Sequence, residues 1–273
     1  MFLPRLFGPT FLSAALVAAL PGPALARAHP GRGCSRNGVC SAPGRRGAAA
    51  RPPASSRPAG EPSPALGVST SPTQVVGELS DRQADALVRG GIPDRRSDNA
   101  LVDHTMPSAA QLAAFRSGDS SMPRSYLDRI DGAHTGTTDE IIQWAAYKWG
   151  FDPRLLRSVA AVETWWHQSF VGNDGSAFGL FQLRIPYHCC KAIAQESAAF
   201  DADYYGAILR SYYDGAQTWL NTVSGNGQRY TAGDLWGSVG YWASGRWQDA
   251  AAHVYIAKVQ ADFATQPWLG KWF

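Results

Sequence analysis

Within four residues, Gly150-Phe151-Asp152-Pro153, the chain carries both a helix stop and a helix start, and this junction constrains everything around it. Glycine suits the left-handed backbone that closes a helix, and Asp and Pro suit the N-cap and first position of the next one. Upstream, Thr137-Thr138-Asp139-Glu140 has the form of a capping box, so a helix is predicted to run on through Ile141 to Trp149. Downstream, Leu156, Val159, Ala160 and Glu163 recur at helical spacing and share one face. The first three suit a core, but a carboxylate on that stripe is expensive unless it is partnered or protonated. Burial raises the pKa of such a group, and the negative end of the helix dipole acts in the same direction. A Glu so placed is suited to donate a proton near neutral pH, which points to cleavage of a glycosidic bond.

The 273 residues divide by composition. Arg5, the apolar run Phe11–Leu20 and the small-residue sites Ala24-Leu25-Ala26 and Ala26-Arg27-Ala28 form an export signal, read as 1–26. No later apolar run is long enough to span a bilayer, so a secreted, wall-associated protein without stable membrane insertion is expected. Residues 27–75 are rich in Pro, Gly, Ala, Ser and Arg, and read as a disordered linker. Seven Arg and no acid fall in 27–60, which suits an anionic partner such as a wall polymer or a membrane surface. Net charge is +3, and with Arg5 also set aside the remainder carries −5, which argues against nucleic acid. Ser80 and Ser108, with Gln83 and Gln111 in capping positions, start two short helices in a lead-in at 76–125 that carries no recognisable chemistry. All ten Trp lie between Trp144 and Trp272, so the compact domain is placed at 126–273. Further helices are predicted over 203–220, 233–241 and 248–263, with few strands. The fold class is mainly α.

The block from Trp144 to Pro186 resembles the lysozyme-like lytic transglycosylases, the soluble lytic transglycosylase (SLT) family. The resemblance rests on Glu163-Thr164, on Ser176-Ala177-Phe178 leading into Gly179-Leu180-Phe181-Gln182, and on Leu183 and Pro186 beyond it. A third family element, Tyr-Asn-small-Gly, is matched loosely by Tyr241-Trp242-Ala243-Ser244-Gly245, with Trp242 where the family has Asn. The resemblance implies a lysozyme-like α domain of the α+β lysozyme superfamily that acts on peptidoglycan glycan strands. By it, Glu163 is the single catalytic acid and base, and the product carries a 1,6-anhydromuramyl end. Thr164, Ser176, Gly179, Leu180, Phe181, Gln182 and Tyr241 are then the substrate-binding positions. Trp165-Trp166 replaces the family's small and apolar pair, and one of these rings is suited to stack on a sugar face.

Two other readings stay open. A hydrolase on the same fold needs a second carboxylate, for which Asp201 and Asp203 are the candidates, although both look more like N-caps of the following helix. A wall-binding protein without turnover would keep the cleft and lose cleavage. His167 and His188 lack a clustered third ligand, so neither a metal nor another cofactor is expected. Cys34, Cys40 and the vicinal pair Cys189-Cys190 allow three disulfide connectivities, among which the sequence does not choose.

Overall fold

The computed structural model describes residues 74–185, 187–188, 190–223 and 225–273. These residues fall within the compact unit Pro64–Phe273. The leader at 1–26, all but the last two residues of the 27–75 linker, Cys34, Cys40, Cys189 and Pro186 lie outside the described residues, whereas Cys190 is disulfide-bonded.

The architecture is mainly helical. In chain order it comprises α1 (Asp81–Asp85), α2 (Ala109–Gly118), α3 (Arg124–Leu127), α4 (Thr138–Trp149), α5 (Pro153–Thr164), α6 (Lys191–Glu196), α7 (Ala198–Tyr213), α8 (Leu235–Ser244) and α9 (Ala250–Thr265). Between α5 and α6 lies a three-stranded antiparallel sheet of β1 (Val171–Gly172), β2 (Ala177–Phe178) and β3 (Leu183–Arg184). Its register pairs Val171 with Phe178 and Phe178 with Leu183. Strands of two residues have no periodicity to read, and the sequence analysis missed them. Among the described residues no helix is long and apolar enough to cross a membrane.

The junction at 150–153 forms as its residues dictate. Thr137 and Glu140 make a reciprocal capping box on α4, Gly150 closes that helix in the left-handed region, and Asp152 caps α5 with Pro153 in its first turn. Helix α4 packs on α7 and α5, α5 packs on α9, and α8 joins α7 to α9. Trp144, Trp149, Leu156, Val159, Phe200, Ile208, Val239 and Val259 are buried in the resulting core. Helices α4 and α7 approach closely because Gly206 leaves room for the Trp149 ring, where a methyl group would lie 2.3 Å from the indole. The Trp149 N–H donates to Asp203 at 2.7 Å.

The lead-in is packed, and the compact body extends back well before residue 126. Val76 N–H donates to the Gly150 carbonyl and Leu79 N–H to that of Lys148, each at 2.9 Å. Lys148, itself buried, pairs with Asp81 (2.6 Å), Asp131 (2.9 Å) and Asp203 (2.8 Å). Burial works against its charge, but the two aspartates at 131 and 203 outweigh burial and raise the ammonium pKa. Ser80 and Ser108 form their capping boxes, and α1 ends at Asp85. Of the single 3-10 turns at Ser97–Asn99 and Val102–His104, the first meets the loop that follows α5 through Asn99, and the second meets the start of α4 through Asp103, which accepts from the Thr138 hydroxyl.

Candidate active site

Glu163 occupies the last turn of α5, one residue before its end, on the stripe that Leu156, Val159 and Ala160 bury. The chain then reverses through two consecutive left-handed residues, Trp165 (φ 52°) and Trp166 (φ 62°). Side chains resist this conformation by about 1–2 kcal/mol per residue, so the surroundings must hold it. Trp166 is buried against Trp268, with ring centroids 6.0 Å apart, and its N–H donates to the Arg157 carbonyl. The lead-in supplies the remaining ties. Arg96 donates to the Trp165 carbonyl (2.7 Å), and Asn99 donates to the Trp166 carbonyl while accepting from Gln168 N–H.

Opposite the helix end stands the turn 179–182. Gly179 has φ 79°, and a methyl group there would lie 2.6 Å from an Asp201 carboxylate oxygen. Leu180 N–H donates to Gln168 Oε1 and Phe181 N–H to Asp201 Oδ2, each at 2.9 Å. The Thr164 hydroxyl donates to the Leu180 carbonyl at 3.1 Å, tying the turn to α5. Gln182 Nε2 donates to the Gly179 carbonyl (2.9 Å) and to that of Phe170 (3.2 Å). The Phe181 ring stacks on Tyr205, centroids 4.5 Å apart and planes 7° from parallel.

Glu163 itself is partly buried. The Tyr255 hydroxyl of α9 donates to its Oε1 at 2.5 Å, while the Trp242 indole of α8 donates to the Phe181 carbonyl at 3.1 Å. Burial dominates and raises the carboxyl from 4.5 to about 7, while Tyr255, Trp242 and the more distant Lys258 pull it down. None of the ion pairs among the described residues involves Glu163. A carboxyl that is largely protonated up to neutral pH, with the Tyr255 hydroxyl ready for its anion, can release a proton and take one back.

The other sequence-named positions divide by where their polar atoms go. Thr164, Leu180, Phe181 and Gln182 are buried, and the polar side chains among them are used inside the protein. Ser176 donates to the Asn173 carbonyl within the β1–β2 connection. Tyr241 packs edge-on to Tyr212, with centroids 4.9 Å apart, and burial raises its phenol to about 12. The phenol on Glu163 is instead Tyr255, which the sequence analysis did not name. Its signal was available, because Ala252, Tyr255, Ile256 and Val259 recur at helical spacing, and a phenol on a core stripe needs a partner for its O–H.

The N-cap expectation for Asp201 and Asp203 is corrected. Ser197 caps α7, and both aspartates lie inside the helix with no exposed surface. Asp203 is consumed by Lys148, Trp149 and the backbone N–H groups of Asp131 and Gly132. Asp201 sits beneath the turn, and burial raises its carboxyl well above the ordinary range. His188 stacks on Trp242 at 4.7 Å, and burial lowers its imidazole to about 4, while His167 lies 3.2 Å from Asp98.

An open groove of about 760 Å³ begins beside Thr164, lined among others by Arg96, Trp165, His167, Phe170 and Trp272. Trp272 is 91% exposed, and Trp165 and Phe170 are also exposed. A smaller hollow of about 380 Å³ at 220–229 contains no acidic residue. Comparison of the chain with family models, curated proteins and solved structures yields no match.

Proposed function

We propose that this protein is an exported peptidoglycan lytic transglycosylase with a lysozyme-like, mainly α domain and a single acid/base, Glu163. The observation that carries the reading is a carboxyl raised to about 7 by burial, joined by the Tyr255 hydroxyl and held in no ion pair. Glu163 protonates the glycosidic oxygen between N-acetylmuramic acid and N-acetylglucosamine, and the C1–O bond breaks. Tyr255 stabilises the carboxylate left behind. The substrate's 2-acetamido oxygen supports the cationic C1, so no protein nucleophile is required. Glu163 then accepts the proton of the C6 hydroxyl as that oxygen bonds to C1, which closes the 1,6-anhydro ring and restores the acid.

Support comes also from what the other carboxyls do. A water-activating base would have to be Asp201 or Asp203, and both are committed inside α7. The exposed rings of the groove beside Thr164 suit the apolar faces of successive sugars, and the basic residues at 27–60 suit anionic wall polymers. Trp242, where the family resemblance calls for Asn, braces the Phe181 carbonyl of the turn through its indole N–H.

The test is digestion of peptidoglycan sacculi by wild type and Glu163→Gln, with soluble products identified by mass spectrometry. Anhydromuramyl ends from the wild type alone, with the variant at least about 100-fold slower, are expected. Ordinary reducing ends would replace the reading with hydrolysis, and bound protein without products would replace it with wall binding.

A further inference from the structure

The hydrogen bonds that hold the loop after Glu163 continue across the site. Asn99, buried in the lead-in, donates to the Trp166 carbonyl (2.7 Å) and to Thr138 Oγ1 (2.9 Å), and accepts the Gln168 N–H (2.9 Å). The Gln168 side chain is buried as well, accepting the Leu180 N–H at 2.9 Å and donating to the Ala194 carbonyl of α6. At the far end the Thr138 hydroxyl donates to Asp103 at 2.6 Å. The donations run in one direction, from Leu180 through Gln168, Asn99 and Thr138 to Asp103, and every residue on the path is buried. Such a path behaves as a unit, because each bond fixes the acceptor of the one before it.

We infer that Gln168, held in place by Asn99, is a positioning residue: it sets the turn 179–182 at a fixed distance from the helix end that carries Glu163. Leu180 is gripped at both of its backbone polar groups. Gln168 takes its N–H and Thr164 gives to its carbonyl, and these two residues stand on either side of the Trp165-Trp166 reversal. Thr164 belongs to α5 and moves with Glu163. Gln168 lies beyond the reversal in a loop with no helix to fix it, so its place depends on Asn99. Two left-handed tryptophans make that loop prone to relax when its ties are cut. With Asn99 gone, the Trp166 carbonyl and the Gln168 N–H lose their partners, the Gln168 side chain shifts, and Leu180 is held from one side only. Neither amide residue carries a charge, so the effect is one of position.

The consequence for catalysis rests on the proposed role of Glu163, but the coupling is read first without substrate. Amide hydrogen exchange in the full chain, followed by NMR, compares Leu180 with Ile208 in the buried core of α7. Asn99→Ala should speed exchange at Leu180 by about 10-fold or more relative to Ile208. If Asn99→Ala does not fold, Asn99→Ser, whose hydroxyl is too short to span the three partners, takes its place. On soluble glycan strands the same variant should lower kcat by about 100-fold and leave KM within about threefold of wild type. Gln168→Met should act alike, and the double variant should lie within about threefold of the slower single one, because both cut one path. Unchanged exchange at Leu180, or a rise that Ile208 shares, overturns the inference. So do a loss expressed in KM alone and losses in kcat that multiply in the double variant. Faster exchange at Leu180 in a protein whose wild type releases no anhydromuramyl product would remove the enzyme reading and leave the coupling of Asn99 to the turn intact.

Discussion

Tyr255 and Trp242 both favour the Glu163 anion, and burial outweighs them. The folded value of about 7 lies above the ordinary 4.5, so the native protein binds this proton more tightly than the unfolded chain. The stabilisation that results is complete below pH 4.5 and is lost as the pH rises through 7. Glu163→Gln cannot ionise and should gain on wild type by roughly 2–3 kcal/mol between about pH 5 and about pH 8.5, a difference that urea midpoints at the two values would reveal. Parallel pH responses of the two proteins would refute the burial argument. His188 acts in the opposite sense, its contribution complete above pH 6.5 and lost as the pH falls through 4, but it does so equally in both proteins and cancels. At this scale the sequence made Glu163 legible, because a charged residue on an apolar helical stripe stands out against its neighbours. It did not reveal what faces Glu163, since Tyr255 reaches it from a helix whose docking no local pattern encodes. Thr164 was named for a ligand through the family resemblance, and its hydroxyl fastens the helix to the Leu180 carbonyl.

Helices were legible where caps and periodicity agree, as at Thr137, Asp152 and Ser108. They were misplaced where the cap lies upstream of the obvious candidate. Asp201 and Asp203 precede a run of aromatic residues and resemble a start, but Ser197 begins α7 and its hydroxyl accepts from Phe200 N–H. The aspartates belong to tertiary contacts with the 179–182 turn and with Lys148, which sequence spacing does not carry. The turn itself depends on one residue type. Gly179→Ala imposes a side chain on a left-handed backbone and drives it into Asp201, so the protein should lose about 2–4 kcal/mol. Chemical denaturation would measure that loss, and a change below about 0.5 kcal/mol would mean that the turn shifts aside freely.

At the scale of the molecule, the concentration of Trp drew the domain boundary at 126, and the lead-in was set apart because its helices are short and plain. The ties that join it to the body are ionic and backbone interactions, which hydrophobic pattern cannot report. Lys148, Arg129 and Arg210 all reach back to residues 76–81. A chain beginning at residue 126 leaves Lys148 without Asp81 and removes Asn99 and Arg96 from the loop after Glu163. It should lose at least 3–5 kcal/mol relative to the full chain, read from denaturation midpoints. Equal midpoints would make the lead-in an accessory. The helix that completes the site lies at the opposite end of the folded region, with Tyr255 separated from Glu163 by 92 residues. At ribosomal speeds of about 5–20 residues per second, synthesis of that interval lasts on the order of 5–20 s. Throughout it, Glu163 has neither its phenol nor the packing of α9, and is a carboxylate of ordinary acidity. The order of the residues alone thus keeps Glu163 an ordinary carboxylate until α9 has been made.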